Sequence, residues 1–213
     1  MKDLKYHKSA LELVGQQPMF SGVTYPDLPA SVAEWYSLTN AVELLQRFSN
    51  QDAPLHPSDF HISRDGDQEL VVFMHENQGV LWWAFENSDA DDPLIYINLD
   101  PPPDHWVRDT ETFSTFVYTW LFDHIHWFED GLFLIKSGDP LENQMLDMLR
   151  NDFVHEPSSI GLDNCVEYRF SNKDQKITIV TNASQSTWTF SADSQESLNE
   201  VYERYKHLFR QRS

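Results

Sequence analysis

Two short apolar runs separated by Glu76-Asn77-Gln78-Gly79 constrain this chain more than any other stretch. Leu70 to Met74 and Val80 to Phe85 are rich in β-branched and aromatic residues, and Gly79 can take positive φ without a Cβ penalty. That pattern predicts an antiparallel hairpin with a short loop. Leu94 to Ile97 starts after Pro93 and stops before Asp100 and three prolines, so it supplies a third short strand. The expectation is a three-stranded antiparallel nucleus.

Around it the chain alternates between periods. Apolar residues at Phe113, Phe116, Val117, Trp120, Leu121, Ile125 and Phe128 form a helical stripe that should lie on one face of the sheet, with Asp123, His124 and Glu129 toward water. Ser9 to Val14 starts a short helix. Leu28-Pro29 opens another, with Val32, Trp35 and Tyr36 on one face. Val42, Leu44, Leu45 and Phe48 fit a short strand or a helical turn equally, and Asn50 to His61 reads as a loop. Asp139-Pro140-Leu141-Glu142 predicts a helix start running to about Asn151, with Leu141, Met145, Met148 and Leu149 inward. Cys165 to Phe170, Lys176 to Val180 and Thr187 to Phe190 alternate as an antiparallel meander. Asp193 with Glu196 caps a last helix striped by Leu198, Val201, Tyr202, Tyr205, Leu208 and Phe209. The class is α+β. Residues 1–24 read as a lead-in and 25–213 as one domain, in which 131–213 either extends the first sheet or makes a small sub-lobe.

At 213 residues, with seven Trp, eight Tyr and fourteen Phe, the chain can bury a self-sufficient core. A lone Cys165 excludes an intramolecular disulfide and fits a reducing compartment. No apolar h-region follows the basic start, and no run is long enough to cross a bilayer, so the expectation is a cytoplasmic protein without membrane contact. The net charge of −19 is concentrated: between Asp65 and Asp163, 21 Asp or Glu face only Arg108, Lys136 and Arg150, a balance of −18. Phosphate repulsion makes direct nucleic-acid binding unfavourable there, whereas a basic protein would be steered in. A solubilising surface explains the same charge without any partner.

Glu76-Asn77-Gln78-Gly79-Val80, the tryptophans that follow and Asp92-Pro93 before a strand together resemble the SUKH superfamily. The resemblance extends over roughly residues 25–205: Leu28-Pro29 before a helix ending near Trp35-Tyr36, Trp106 followed by Phe113-Ser114-Thr115-Phe116, and a strand pair before a final amphipathic helix. The chain departs from it at Asn40-Ala41-Val42, where many relatives carry Asn-Gly. The resemblance implies a Smi/Knr-like fold, an antiparallel sheet packed by helices with a C-terminal meander and final helix. It also implies a role like that of fungal cell-wall-synthesis regulators or bacterial toxin-immunity proteins.

The chemistry-bearing residues weigh toward bland readings. His124 and His126 sit about 200° apart on a helix and cannot chelate one ion from one face. Asp123 with His126 is the better-placed pair, but no His-Glu-x-x-His or Cys-rich spacing accompanies it. Nothing in the spacing pairs Glu76 with Asp91 or Asp92 for hydrolysis. Cys165 lacks a neighbouring base, no Gly-rich phosphate loop exists, and Asn182-Ala183-Ser184 is an incidental sequon. Strand alternation sends Trp82 and Trp83 to opposite faces, so one needs cover, from the C-terminal meander or from a partner.

The function expected is a non-catalytic protein-binding module that needs no cofactor or metal, an immunity protein masking a basic toxin such as a nuclease in a toxin–antitoxin pair. Charge and exposure nominate Glu76, Asn77, Glu86, Asp89, Asp91 and Asp92 as contacts, with Asp100 and Asp104 next and the Trp82-Trp83 pair as the competing anchor. A regulatory scaffold of the Smi/Knr type is the alternative, and a hydrolase the third reading.

Overall fold

A computed structural model describes residues 4–47, 49, 51–99, 105–128, 132–160 and 165–209. The chain divides into two compact units, Met1–Ile125 and His126–Ser213. Both are α+β, each built on its own antiparallel sheet, so the C-terminal strands do not extend the first sheet.

The first unit opens with α1 (Lys8–Leu13), α2 (Ala30–Tyr36) and α3 (Ala41–Arg47), then lays down β1 (Asp52–Pro54), β2 (His61–Asp65), β3 (Gln68–Glu76), β4 (Leu81–Glu86), β5 (Ile95–Leu99) and β6 (Trp106–Arg108) before α4 (Phe113–Phe128). The hairpin expected from sequence is β3–β4, with Gly79 at φ 73°, and β5 completes the nucleus in register Leu81↔Leu99 to Phe85↔Ile95. β2 and β1 pair one after the other along the far edge of β3. β1 corrects the expected loop from Asn50 to His61: it is three residues long, too short for any period to show, and forms because β3 runs on past the end of β2, a strand that starts only at the last residue of that loop. β2 answers to a signal in the sequence, the Asp65-Gly66 turn with Gly66 at φ 60°. Pro29 is the residue before α2 and not its first member, its ψ of 146° being extended.

An irregularity in register between Val72 and Met74 places Phe73 and Met74 together on the helix-bearing face. There Phe73 meets Phe113 at 5.4 Å and Phe116 at 5.2 Å, while Trp83 meets Trp120 edge-on at 5.4 Å. These aromatic contacts are worth more than their buried area, because the rings meet edge to face. The stripe read from sequence is therefore the buried face of α4 from Phe113 to Leu121, while Ile125 is half-buried, Asp123 and His124, expected toward water, are half-buried too, and the Phe128 side chain and Glu129 lie outside the described residues.

The opposite face is closed by the sheet itself. The Trp106 backbone N–H donates to Asp65 Oδ2 at 3.2 Å, and its indole N–H donates to Ser63 Oγ at 3.2 Å. In a flat sheet β6 would stand four strand spacings, about 19 Å, from β2. Bonds between them require a strong curl. The concave side so formed is filled by Leu70, Val72, Ala84 and Trp106, with Leu55, Trp82 and Tyr96 packed against them.

The second unit orders its strands β7-β11-β10-β9-β8: β7 (Leu132–Gly138), β8 (Val154–Ile160), β9 (Val166–Ser171), β10 (Gln175–Thr181) and β11 (Ser186–Ala192). The meander β9–β10–β11 is the expected one; β7 and β8 flank it. β8 carries Pro157, which reads against a strand, and is tolerated because β8 is an edge with a bulge between Glu156 and Ser159. α5 (Asn143–Asp152) and α6 (Gln195–Tyr205) cover one face over a core of Phe170, Ile177, Ile179, Trp188 and Phe190. α5 starts three residues later than Asp139-Pro140 suggests. The Leu141 N–H goes to Thr181 Oγ1 at 3.2 Å and the Asp139 carbonyl accepts Ser186 Oγ at 2.6 Å, so this stretch is tied to strand ends and Leu146 becomes an inward residue. The α6 cap is Ser194, whose hydroxyl accepts from Ser197 N–H at 3.2 Å, one residue after the Asp193 expected.

Because Phe113 is fully buried and meets Phe73, Phe85, Tyr36 and His7, Phe113→Ala should lower unfolding stability by about 3–5 kcal/mol. Urea denaturation checks this, and a loss under about 1 kcal/mol would contradict the packing described.

Candidate protein-binding surface

The acidic residues nominated from sequence fall at two places. Glu76 and Asn77 cap the β3–β4 tip, where Glu76 Oε2 accepts the Gln78 N–H at 2.7 Å and the Asn77 N–H reaches the Gln51 carbonyl at 2.6 Å. Glu86 ends β4 opposite Leu70, six residues back along β3 from Glu76, which is about 20 Å. One partner footprint can span both, but they do not form a single cluster.

At the Glu86 end the fold adds carboxylates that the sequence reading left out. The β2–β3 turn brings Asp65 and Asp67, and Glu69 pairs with Arg64 across the hairpin. Asn87 ties the following loop to this corner, its N–H on the Glu69 carbonyl at 3.0 Å and its amide on Glu69 Oε2 at 3.2 Å. Those two partners, Arg64 first, hold the Glu69 carboxyl below the usual range. The loop then carries Asp89, Asp91 and Asp92. The signal for the missed acids was the Asp-Gly turn at 65–66.

These carboxylates are not equivalent. Asp92 works inside the fold: Oδ1 accepts the Ser114 N–H at 2.9 Å and Oδ2 accepts its hydroxyl at 2.5 Å. With Phe113 N–H on the Pro93 carbonyl and Thr115 N–H on Thr112 Oγ1, the first turn of α4 has its donors matched. Asp91 holds Tyr6 OH at 3.3 Å and Lys5 Nζ at 3.5 Å. Asp67, Glu86 and Asp89 make no side-chain hydrogen bond or ion pair among the described residues, and Asp67 and Asp89 are exposed. Asp100 and Asp104 lie outside the described residues.

Trp83 is 6% exposed and faces α4. Trp82, on the concave side, is half-buried against the curl's own core, with His61 edge-on at 5.6 Å. Within this unit its cover comes from the sheet's own concave side, where His61 of β2 and the cluster containing Trp106 of β6 stand, a source the sequence could not show.

Other titratable groups have structural work. Ser49 Oγ donates to Asp52 Oδ2, and burial, against that bond, pushes the Asp52 carboxyl up. His124 stands close enough to favour the Asp52 charge, but its Nδ1 faces the Trp120 carbonyl at 2.8 Å and its ring stacks on that indole at 4.2 Å. Ser49 thus bonds to the acid and not to an imidazole, so Ser49 and His124 are not joined as a nucleophile–base pair. Among the described residues no group of three His, Cys, Asp or Glu is placed to hold a metal ion. Cys165 lies 3.8 Å from the Asn182 amide. One open cleft of about 440 Å³ is lined by Gln16, Asn40, Glu43, Leu44, Gln46 and Arg47, and another of about 290 Å³ by residues of 23–37; neither holds a nominated residue. No described helix is long and apolar enough to cross a membrane.

Comparison of the chain with protein-family models, with curated proteins and with solved structures finds no match. What stands on its own geometry is an α+β chain with an acidic corner at one end of a curled sheet.

Two neighbours in that corner should separate in a stability measurement. Asp92→Ala, which strips two bonds from the α4 N-terminus, should cost about 0.5–2 kcal/mol, whereas Asp89→Ala should stay within about 0.5 kcal/mol. Equal effects in urea unfolding would refute the division between them.

Proposed function

We propose that the chain is a cytoplasmic, non-catalytic protein-binding module of SUKH type, an immunity protein that neutralises a basic toxin domain, such as a nuclease, by covering it with the acidic corner of its first unit. One observation carries the reading: Asp67, Glu86 and Asp89 are unpaired among the described residues, on a framework ordered by the β2–β3 turn, the end of β4 and the Asn87–Glu69 bonds. Charges held this way, without counter-ions of their own, offer a positive partner attraction at small ordering cost. A surface kept only for solubility has no need of such order. Glu76 and Asn77, about 20 Å away along the hairpin, would meet the rim of a larger partner. Trp82, half-buried, is a secondary contact.

The test is co-purification from native-host lysate at low and moderately raised salt, with Glu86→Lys/Asp89→Lys as the comparison. The wild-type chain should retain a stoichiometric basic protein whose association slows as salt rises, and the double reversal should slow it by about tenfold or more. A complex indifferent to both salt and charge reversal would shift the contact to the Trp82 side. Retention of nothing would remove the immunity reading.

A further inference from the structure

Residues 4–7, immediately before α1, are fastened to the first unit by contacts that the proposed binding role does not use. Glu34, on α2, accepts three consecutive backbone N–H groups: Lys5 at 2.8 Å on Oε2, and Tyr6 at 2.7 Å and His7 at 3.0 Å on Oε1. Asp91 receives Tyr6 OH and Lys5 Nζ from the other side. The segment is thus clipped across α2 to the loop that carries Asp91, whose carbonyl also accepts the Ser31 N–H at 2.8 Å.

The ring of His7 goes inside. It is 0% exposed, edge-on to Trp35 at 5.1 Å and to Phe113 at 5.8 Å. Its Nε2 lies 2.8 Å from the Ser31 carbonyl oxygen, which can only accept, so Nε2 carries the N–H of the neutral ring and Nδ1 is left as a bare acceptor. Nδ1 is buried and has no hydrogen-bond partner among the described residues. A second proton there would sit on a desolvated N–H with nothing to receive it.

The charged groups around the ring do not rescue that state. Glu34 on α2 and Asp92 on the loop both favour an imidazolium, as does the Ser31 carbonyl bond. Each carboxylate is already engaged, Glu34 by three N–H groups and Asp92 by the N–H and hydroxyl of Ser114. Lys5, paired with Asp91, adds positive charge on the same segment. From the α4 side the contact is Phe113, which is uncharged. Burial wins, and it holds His7 below its ordinary 6.5.

We propose that residues 4–7 form an acid-released latch: a solvent proton added at His7 Nδ1 expels the ring from beside Trp35 and Phe113, breaks the Glu34 clip and frees Asp91 from Lys5 and Tyr6. The sign follows from proton counting. The closed latch binds fewer protons than the open one between 6.5 and the lower closed-state value, so falling pH favours opening only once it passes below 6.5. Within that window the open-to-closed ratio rises up to about tenfold per pH unit. Above it the latch is indifferent to pH until the alkaline range in which Lys5 loses its proton. Opening would bare the Trp35–Phe113 face and one further carboxylate at the acidic corner, but the latch stands or falls independently of any partner.

Hydrogen exchange of the Lys5, Tyr6 and His7 amides at about pH 7.5 and about pH 5, corrected for intrinsic exchange, tests this on the full chain. Their protection should drop about tenfold or more in wild type and less than about twofold in His7→Gln, whose amide keeps a donor for Ser31 without titrating. Unchanged protection in wild type overturns the latch, and so does an equal drop in His7→Gln. Should His7→Gln fail to fold, an NMR titration of the His7 ring in the unaltered chain decides: a midpoint below 6.5 that tracks the loss of protection supports the latch, and one at or above 6.5 overturns it.

Discussion

Trp106 sets the geometry of the first unit, because it joins the two edges of one sheet. Its backbone N–H and indole N–H reach Asp65 and Ser63 on β2, and the curl this demands turns one face of the sheet into a lined concavity. An antiparallel sheet ordinarily leaves one face to water. Here the curl supplies an inner core on one side while α4 covers the other, so both rings of the Trp82-Trp83 pair find apolar surroundings. Asp65 serves two ends at once, accepting from Trp106 while sitting in the turn that begins the acidic corner.

The second unit solves its exposure differently. α5 and α6 lie over one face of its five strands. The β8 edge is interrupted by a bulge and Pro157, where the buried Arg169 donates to the Pro157 carbonyl at 3.2 Å, to Ser159 Oγ at 3.1 Å and to Glu167 Oε2 at 2.7 Å. A buried guanidinium needs such partners. The network holds an irregular edge in shape, which is also a defence against edge pairing.

Acidity in the first unit is organised, not merely abundant. Of the carboxylates around the Glu86 end, Asp92 matches donors of α4, Asp65 holds Trp106, Glu69 holds Arg64 and Asn87, and Asp91 holds the segment before α1. That leaves Asp67, Glu86 and Asp89 as the charges a partner would meet, and makes the proposed binding function a matter of these three groups and not of the total of −19. The same corner adjoins the His7 latch through Asp91, so a change at residues 4–7 reaches the acidic surface without a change in the sheet.

Local periodicity determined a good deal. The Gly79 hairpin, the third strand, the α4 stripe, the meander and the α6 stripe were all legible, because period 2 and period 3.6 are written in consecutive residues. Short or edge elements were not: β1 has no period to read, and Pro157 disguises β8 until its edge position is known. Of the candidate surface, the run Glu86 to Asp92 was visible as charge, and the tip residues Glu76 and Asn77 as a turn. Only the tertiary structure divided those acids into structural and open ones, added Asp67 and Glu69 to the corner, and buried His7 between Trp35 and Phe113. Charge and residue type are properties of the chain, whereas the partner a carboxylate or a ring nitrogen meets is set by segments 22 to 85 residues away that the sheet's curl and α2 bring together.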